Sequence, residues 1–432
     1  MKSDYVSLYL ASVDTRRSLL LLGAWASAPF VNSDKRRHRL AKAVQTQVGV
    51  REVFAYGSAR GALAACLQGA GVGPGDKVLL SSFTCLAVPT AVLAVGARPV
   101  YVDIDPVSLC TRAKDIIGAL ESDVRAVVIQ HTMGRIAEVE PVVEEAKKRG
   151  ILVIEDCALS LGSWHAGKPA GSFGDAAIFS MELSKTVSTG WGGILTVKDS
   201  LLAHRVAENY ARLPEPSFWE TTRRVWQVAL SGICYEPAVF PLGRYLVAAA
   251  YRLGIFKPST PPEEIEGRPN EDFISRLSGC QSVLGAQQWL RLGEVAAKCR
   301  QNAECLRKRI TAAGLCILAE PEPGDVAVTP RVPFIVESQS QASSWFAAND
   351  VELGTWFDGP LSPLPDSASF EYDPGDYFYS NMVAKHVVNL ASHCRLNGPD
   401  LERMATLLLK YVQAYPAERA FAEQFANITS ID

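Results

Sequence analysis

Between residues 53 and 197 the sequence alternates short apolar runs with helical stretches, and this alternation limits the fold more than any other feature. The runs are apolar on both faces, which is typical of strands buried between two layers of helices. Helical connections between such strands favour a parallel sheet. The predicted strands span residues 53–56, 77–80, 98–103, 124–130, 151–156, 175–180 and 194–197, and helices are predicted over 61–69, 87–95 and 139–149. Beyond this region, one or two long amphipathic helices are predicted over 271–314 and a last helix over 399–415. The sequence therefore predicts an α/β fold.

Three of the predicted strands end in small or polar residues. Gly57 and Ser58 follow the first strand, Asp156 ends the fifth, and Ser180 ends the sixth. Ligands of parallel sheets bind outside the carboxyl ends of the strands. We therefore expect these residues to lie around one ligand site.

Lys185 lies 29 residues after Asp156 and five residues after Ser180. Taken singly, these residues have ordinary explanations, such as a helix cap or a surface charge. Taken together, they supply what pyridoxal 5'-phosphate (PLP) requires. An amine forms a Schiff base with its aldehyde, a carboxylate keeps its ring nitrogen protonated, and the glycine-rich helix start at 57–61 offers backbone N–H groups to its phosphate. The order and spacing therefore indicate a PLP site.

The same residues belong to a longer series of motifs. These are GSARGAL at 57–63, GPGDKV at 73–78, SFT at 82–84, GARPVYVDID at 96–105, ED at 155–156, GSFGD at 171–175, FS at 179–180, SK at 184–185, GWGG at 190–193 and RLSGCQ at 276–281. The series resembles the DegT/StrS-type sugar aminotransferase family, densely over residues 50–200. The resemblance implies the aspartate-aminotransferase-like fold type I. This fold has a large domain with a mostly parallel seven-stranded sheet covered by helices, and a smaller C-terminal α+β domain.

The family roles transfer to individual residues of this chain. The resemblance implies that Lys185 carries PLP and serves as general base, and that Asp156 pairs with the pyridinium. The implied cofactor-binding set is Gly57, Ser58, Ala59, Arg60, Phe83, Cys85, Asp156, Ser180, Lys185 and Arg276. Family members are homodimers with shared active sites, and Arg276 matches a segment that faces the partner subunit.

The chain departs from the family pattern at four positions. Leu159 stands where the family has Gln or His, Cys85 where an aromatic ring stacks on the cofactor, and Trp191 where the family reads Gly-Glu-Gly-Gly. Ile274 replaces an Asn. The pocket is therefore expected to be more apolar than usual, and Phe83, Trp191 or His131 remain alternatives for the ring surface.

The sequence predicts four segments: an N-terminal helical segment (1–50), the PLP-binding large domain (51–205), an atypical apolar helical insertion and linker (206–270), and interface helices with a small C-terminal domain (271–432). The stretch 225–256 is longer and more apolar than in the family. It is expected to form extra helices packed on the domain. Alternatively, it is a surface for a lipid-linked or acyl-bearing substrate or for peripheral membrane contact.

Composition narrows the function classes. The net charge of −3 and the absence of a long Lys/Arg cluster give no support for nucleic-acid binding. The ten cysteines form no Cys-x-x-Cys pair, so no metal site is indicated and reduced thiols are expected. The apolar run at 18–29 is interpreted as a packed N-terminal helix rather than a signal peptide. A cytoplasmic location follows, with contact to the inner membrane face as an alternative.

The function expected from these features is PLP-dependent transamination. The amino group would come from a donor such as glutamate and pass to a keto group of a sugar nucleotide or related intermediate. Two alternatives stay open. One is a PLP-dependent lyase or carbon–carbon bond-forming enzyme on the same fold, and the other is a catalytically degenerate partner protein.

Overall fold

The structure is a computed structural model that describes residues 6–7, 13–236, 239–258, 260–267, 274–355, 359–363 and 370–429. Its strands are β1 (Glu52–Tyr56), β2 (Lys77–Ser81), β3 (Thr84–Cys85), β4 (Arg98–Val102), β5 (Val124–Gln130), β6 (Leu152–Asp156), β7 (Trp164–His165), β8 (Lys168–Pro169), β9 (Ala176–Ser180), β10 (Gly193–Val197), β11 (Arg331–Ile335), β12 (Leu361–Ser362) and β13 (Val387–Ala391).

Helices make up most of the remaining structure. They are α1 (Thr15–Ala26), α2 (Ser33–Val48), α3 (Ala59–Ala70), α4 (Ala87–Ala94), α5 (Ala113–Gly118), α6 (Glu140–Arg149), α7 (Ser200–Arg212), α8 (Phe218–Cys234), α9 (Phe240–Arg252), α10 (Pro262–Ile265), α11 (Gly279–Leu290), α12 (Leu292–Ala312), α13 (Gln339–Ala348), α14 (Phe378–His386), α15 (Gly398–Ala414) and α16 (Ala417–Thr429).

The main sheet has seven strands in the order β1-β10-β9-β6-β5-β2-β4. Only β10 runs antiparallel to its neighbours, so the prediction of a mostly parallel seven-stranded sheet is confirmed. Gly193 of β10 pairs with Ser180 of β9. The loop between them, residues 181–192, therefore leaves and rejoins the sheet at the carboxyl end of β9. We call it the lysine loop because it carries Lys185.

Alternate residues of each central strand face two separate cores. On β5, Val127 and Ile129 pack into one cluster with α2 and α6. Ala126 and Val128 point to the other face, where they pack with residues of α3, α4 and α7. Both faces of the sheet are thus covered by helices, which explains why its strands lack a polar side.

A smaller C-terminal unit surrounds the antiparallel pair β11–β13. Its core combines apolar residues of α12, α13 and α15 with both strands. The segment 271–314, predicted to form one or two long helices, forms two, α11 and α12. A Cβ on Gly279 of α11 would lie 2.7 Å from Ser33 Oγ of α2, so α11 packs closely on the large domain. The predicted limits at 50, 205 and 270 stay predictions, although α7 continues unbroken across 205.

The chain ends differently from the expectation that the last helix spans 399–415. Helix α16 follows α15 after a break at Pro416. Proline stops one helix but is tolerated at the start of the next. Glu418 and Phe425 of α16 are buried, and Glu418 accepts a hydrogen bond from the backbone N–H of Glu337 (2.8 Å).

Helices α1, α8 and α9 form a layer at one side of the large domain. The predicted N-terminal helix is confirmed as α1, whose Leu21 packs against Val225 and Val228 of α8. Exposed apolar side chains run along α8 and α9: Phe218, Trp219, Trp226, Leu230, Leu242, Tyr245, Leu246 and Tyr251. We call this set the α8–α9 surface. Among the described residues, no helix is long and apolar enough to span a membrane.

Docking of α16 can be tested with one buried and one exposed residue on the same helix. Phe425 is 3% exposed and packs in the cluster that contains Phe83 and Leu159. Phe425→Ala should lower the free energy of unfolding by about 3 kcal/mol, because a buried aromatic side chain is lost. Ile428→Ala, at a position 40% exposed, should change it by less than about 1 kcal/mol. Equal values in urea unfolding would contradict the docking.

Candidate active site

A cavity of about 630 Å³ opens at the carboxyl ends of β1, β6 and β9, where the sequence predicted a ligand site. It brings together seven of the predicted residues: Ser58, Ala59, Arg60, Cys85, Asp156, Ser180 and Lys185. We call it the lysine cavity.

The lysine loop is held in place by helix α11. Gln281 Nε2 donates to the carbonyl oxygens of Thr189 (3.0 Å) and Trp191 (2.6 Å). Gln288 accepts from the backbone N–H of Ser188 (3.0 Å) and donates to its carbonyl oxygen (2.5 Å). Both glutamines are buried, so these bonds are shielded from water. The family motif that resumes on α11 therefore serves to position the loop.

Lys185 is 8% exposed. Burial lowers the pKa of its amine, and the nearby positive charge of Arg331 lowers it further. The negative charges of Glu182 and Asp156 act in the opposite direction. A lowered pKa increases the fraction of neutral amine near neutral pH, which is the form that attacks a carbonyl carbon.

Two adjacent buried carboxylates, Glu155 and Asp156, have contrasting surroundings. Glu155 accepts four hydrogen bonds: from His131 Nε2 (2.9 Å) and from the backbone N–H groups of Gly171 (2.8 Å), Phe173 (2.7 Å) and Gly174 (2.7 Å). Asp156 accepts one, at Oδ1 from the backbone N–H of Ala158 (2.9 Å). Among the described residues, none donates to its Oδ2. Asp156 therefore faces the cavity with unused acceptor capacity.

The pKa values follow this contrast. Burial raises the pKa of Asp156, and the bond from Ala158 with the charge of Lys185 offsets only part of this rise. Burial alone would also raise the pKa of Glu155, but the hydrogen bonds from His131 and the backbone bring it below its ordinary value. A cationic ligand group beside Asp156 would stabilise its ionised form.

His131 belongs to the Glu155 network. Its Nδ1 accepts from the backbone N–H of Ala137 (3.2 Å), so its Nε2 carries the proton donated to Glu155. Cys157 lies close to this pair, with the three ligand atoms within 4.8 Å of one another. Both ring nitrogens and both carboxylate oxygens already have protein partners. The cluster is therefore a structural hydrogen-bond network rather than a metal site.

The turn at 57–61 forms the opposite wall. Ser58 caps α3, its Oγ accepting from the backbone N–H of Gly61 (3.1 Å). A Cβ on Gly193 would lie only 2.4 Å from Ala59 N, so β10 approaches the helix start as closely as glycine permits. Arg60 forms an ion pair with the buried Glu264 of α10. This wall combines a helix N-terminus, a hydroxyl and a guanidinium, which together suit an anion.

The structure reduces the number of residues that could provide a surface for the cofactor ring. Phe83 and His131 are almost fully buried outside the lysine cavity. Leu159 packs beside Phe83. Cys85 and Trp191 do line the cavity, and Trp191 is the only aromatic residue among its described lining.

Three predicted residues do not line the lysine cavity. Phe83 lies in the apolar core, and Gly57 borders a neighbouring cavity. Arg276 donates to the carbonyl oxygens of Tyr210 (2.9 Å) and Ala211 (2.7 Å) at the end of α7, and it lies over the Tyr210 ring. Within this chain Arg276 is thus tied to α7, and its expected role towards a partner subunit stays a prediction.

The charged or hydroxyl-bearing lining residues that were not predicted from the sequence include Glu182, Ser184, Arg331 and Glu352. Ser184 immediately precedes Lys185 and Glu182 lies on the same loop, so both could have been found from their proximity in the sequence. Glu182 Oε2 accepts from the N–H (2.8 Å) and Oγ (2.6 Å) of Ser184. Arg331 and Glu352 come from the C-terminal half, and no local pattern links them to the lysine.

Comparison with known proteins agrees with this geometry. The model of the DegT/DnrJ/EryC1/StrS aminotransferase family matches residues 20–226. An L-glutamine:2-deoxy-scyllo-inosose aminotransferase of Streptoalloteichus tenebrarius is 32% identical over 330 residues, which cover 76% of this chain and 68% of that protein. The chain belongs to the DegT/DnrJ/EryC1/StrS aminotransferase family.

Other relatives are similar over shorter spans. GDP-perosamine synthase of Caulobacter vibrioides is 35% identical over 185 residues, which cover 43% of this chain and 48% of that protein, so this alignment spans about half of the relative. Among solved structures, the aminotransferase TlmJ from Streptoalloteichus hindustanus aligns with a TM-score of 0.72 and 20% identity, covering 95% of this chain and 99% of that chain. This likeness confirms the predicted fold type.

PLP is the cofactor of this DegT-type family. The lysine cavity fits it on three counts. Lys185 offers a buried amine of lowered pKa. Asp156 offers an oxygen without a donor among the described residues, as a pyridinium N–H would need. The start of α3 offers backbone N–H groups with Ser58 and Arg60 for the phosphate.

Isosteric variants of the two carboxylates should change stability in opposite directions. The folded-state pKa of Asp156 is raised, so the fold is increasingly destabilised as pH rises from the ordinary pKa of this carboxyl to the raised one, and the loss persists at higher pH. Asp156→Asn should therefore raise the thermal midpoint of the cofactor-free protein at about pH 7, and the gain should vanish towards pH 3.

Glu155→Gln provides the matched comparison. The folded-state pKa of Glu155 is lowered, so its contribution to stability is present at neutral pH and is lost as pH falls through that value. This variant should lose about 3 kcal/mol at neutral pH, because a buried bonded charge is removed from its partners. Destabilisation by both variants would refute the proposed difference between the two carboxylates.

Proposed function

We propose that this chain is a PLP-dependent aminotransferase that transfers an amino group to a keto group of a sugar nucleotide or a related biosynthetic intermediate. The donor is glutamate or its amide, glutamine, which the name of the Streptoalloteichus relative specifies. The observation that carries the proposal is the pairing, in one cavity, of the buried Lys185 amine with an Asp156 carboxylate, one oxygen of which has no donor among the described residues.

PLP supplies an electron sink that stabilises negative charge on the carbon that bears the amino group. Each protein group then has one task. Asp156 holds a proton on the ring nitrogen, Lys185 moves a proton between two substrate atoms as general base, and Ser58, Ser180 and Arg60 hold the phosphate. The surrounding burial excludes water, which strengthens each of these charge interactions.

Spectroscopy tests this function directly. The protein reconstituted with PLP should show the visible absorbance of a lysine-bound cofactor, and Lys185→Ala should lack it. Glutamate or glutamine should bleach the band and release the matching 2-oxo acid in stoichiometric amount, because transamination leaves the amino group on the cofactor. Asp156→Ala should weaken cofactor binding and slow bleaching by at least about tenfold.

The two rival functions give different results in the same experiment. Bleaching followed by release of ammonia or a new carbon–carbon bond, without stoichiometric 2-oxo acid, would indicate a lyase or bond-forming enzyme. The intact protein without any visible band after reconstitution would indicate a degenerate partner protein and refute the proposal. Lys148→Ala, at an exposed lysine on α6, is the matched control and should keep the band.

We also propose a homodimer with shared active sites in a reducing, cytoplasmic compartment. The family resemblance supports the dimer, and all ten cysteines are free thiols, which supports the compartment. Light scattering on the purified protein should give twice the chain mass of 46.8 kDa.

The α8–α9 surface supports contact with a membrane face or a lipid-linked substrate. Its apolar side chains are accompanied by Arg244 and Arg252, which could meet anionic headgroups. Leu242→Glu with Leu246→Glu should reduce co-sedimentation with phosphatidylglycerol vesicles, because two apolar anchors become negative. Leu201→Glu, 70% exposed on α7, should sediment like the unmodified protein. Equal sedimentation of all three proteins would exclude this contact.

A further inference from the structure

A second cavity of about 1280 Å³ adjoins the lysine cavity. Four residues line both: Ser58, Arg60, Trp191 and Pro258. One wall of the second cavity comes from α8 and from the end of α9 with the segment that follows it. This is part of the segment 206–270, which the sequence predicted to be an atypical insertion. The insertion therefore forms part of the surroundings of the lysine cavity.

A buried glutamine organises this wall. Gln227 is 0% exposed, and its Nε2 donates to Tyr251 Oη (3.2 Å) and to the carbonyl oxygen of Lys257 (2.9 Å). Its Oε1 accepts from the backbone N–H of Lys257 (3.2 Å). Tyr251 also packs edge-on against Phe256, with ring centroids 5.6 Å apart. These contacts fix the backbone at Lys257, at the mouth of the cavity, before any ligand arrives.

Two of the cationic side chains that line the second cavity are available to bind a ligand. Three of its four glutamates are neutralised by Arg60–Glu264, Arg224–Glu220 and the contacts of Glu215 with Arg37 and Arg276. Within the described part of the chain, Arg223 and Lys257 form no ion pair. Only Glu263 remains to offset them. A half-buried Arg223 with an exposed Lys257 suits a phosphate group better than a neutral sugar.

Aromatic and apolar groups surround these cations. Trp219 and Phe256 line the same cavity, and Trp219 is 78% exposed. Leu253 and Ile255, 74% and 57% exposed, lie beside the lining residues of the α9 end. A ligand held by its phosphate here would therefore have an apolar surface directly next to it.

We propose, as an extension of the proposed transamination, that the second cavity binds the phosphate or diphosphate group of the amino acceptor through Arg223 and Lys257. The keto-bearing part of the acceptor reaches Lys185 past the residues that line both cavities. The remaining part of the acceptor lies along Trp219 and the α8–α9 surface. The insertion is thus a substrate-binding element of this chain.

Binding of three probes tests the site: inorganic pyrophosphate, uridine diphosphate and farnesyl diphosphate. Trp191 and Trp219 line the cavity, so their fluorescence should report binding. Arg223→Gln and Lys257→Gln should each weaken the binding of every probe that binds by roughly tenfold, because a charge-assisted hydrogen bond is lost. Arg205→Gln, an exposed arginine on α7, is the control and should bind like the unmodified protein.

The three probes also separate the source of the phosphate. Tighter binding of farnesyl diphosphate than of pyrophosphate supports the site with a lipid-linked acceptor, and tighter binding of uridine diphosphate supports it with a nucleotide-linked one. Probe binding that is unchanged in both variants, or no binding of any probe, would overturn the proposal. Lys257 is exposed, so Lys257→Gln keeps the test valid if Arg223→Gln does not fold.

Failure of this site and failure of transamination give distinct results. If the protein shows the visible cofactor band but binds no probe, only the proposal of the second site is refuted. If the protein binds the probes through Arg223 and Lys257 but shows no cofactor band, only the proposal of transamination is refuted. Cofactor affinity should be unchanged in Lys257→Gln, because the cofactor phosphate is assigned to the start of α3.

Discussion

The hydrogen-bond network of Glu155 is the interaction on which the site depends. This buried carboxylate joins the end of β6 to His131 after β5 and to the turn 171–174 before β9. The carboxyl ends of β5 and β6 are therefore tied to each other and to the turn from which β9 starts. Because Glu155 is fully satisfied, the backbone on either side of it is fixed. The adjacent Asp156 is held facing the cavity on the opposite side of the strand.

Asp156 is the residue that this arrangement leaves with an unfavourably buried charge. A buried carboxylate with one hydrogen bond is less stable ionised than in water, and the raised pKa expresses this. The amine of Lys185 is disfavoured as a cation for the same reason. Neither charge has enough hydrogen bonds or opposite charges around it to offset the cost of burial, so neither stabilises the fold. A cofactor with a cationic ring nitrogen would stabilise the Asp156 carboxylate, and an aldehyde would react with the neutral amine of Lys185. On one strand, Glu155 thus stabilises the fold, while the adjacent Asp156 is left for the proposed cofactor.

Much of this organisation follows from local patterns. The apolar runs predicted every strand of the large sheet, and the Asp156–Lys185 spacing predicted the centre of the cavity, because strand ends and loops are set by nearby residues. Arg331 and Glu352 could not be found this way, since they reach the cavity only through packing of the C-terminal unit. The break at Pro416 concealed α16 because proline marks both the end and the start of helices. His131 has the right chemistry for a ring surface, and only its two partners show that it is already used.

Two features that the sequence marked as unusual, Trp191 and the apolar segment that forms α8, are in contact in the structure. Gly190 of the lysine loop presses on α8, since a Cβ there would lie 1.9 Å from Val228 Cγ2. Trp191, which replaces the family glutamate, packs in the same cluster as Val225 and Val228. Helix α8 and the lysine loop therefore support each other directly. A carboxylate at 191 would lie against the apolar side chains of α8, whereas the tryptophan packs on them with its ring. Because Trp191 lines both cavities, this contact also joins the wall of the second cavity to the lysine cavity.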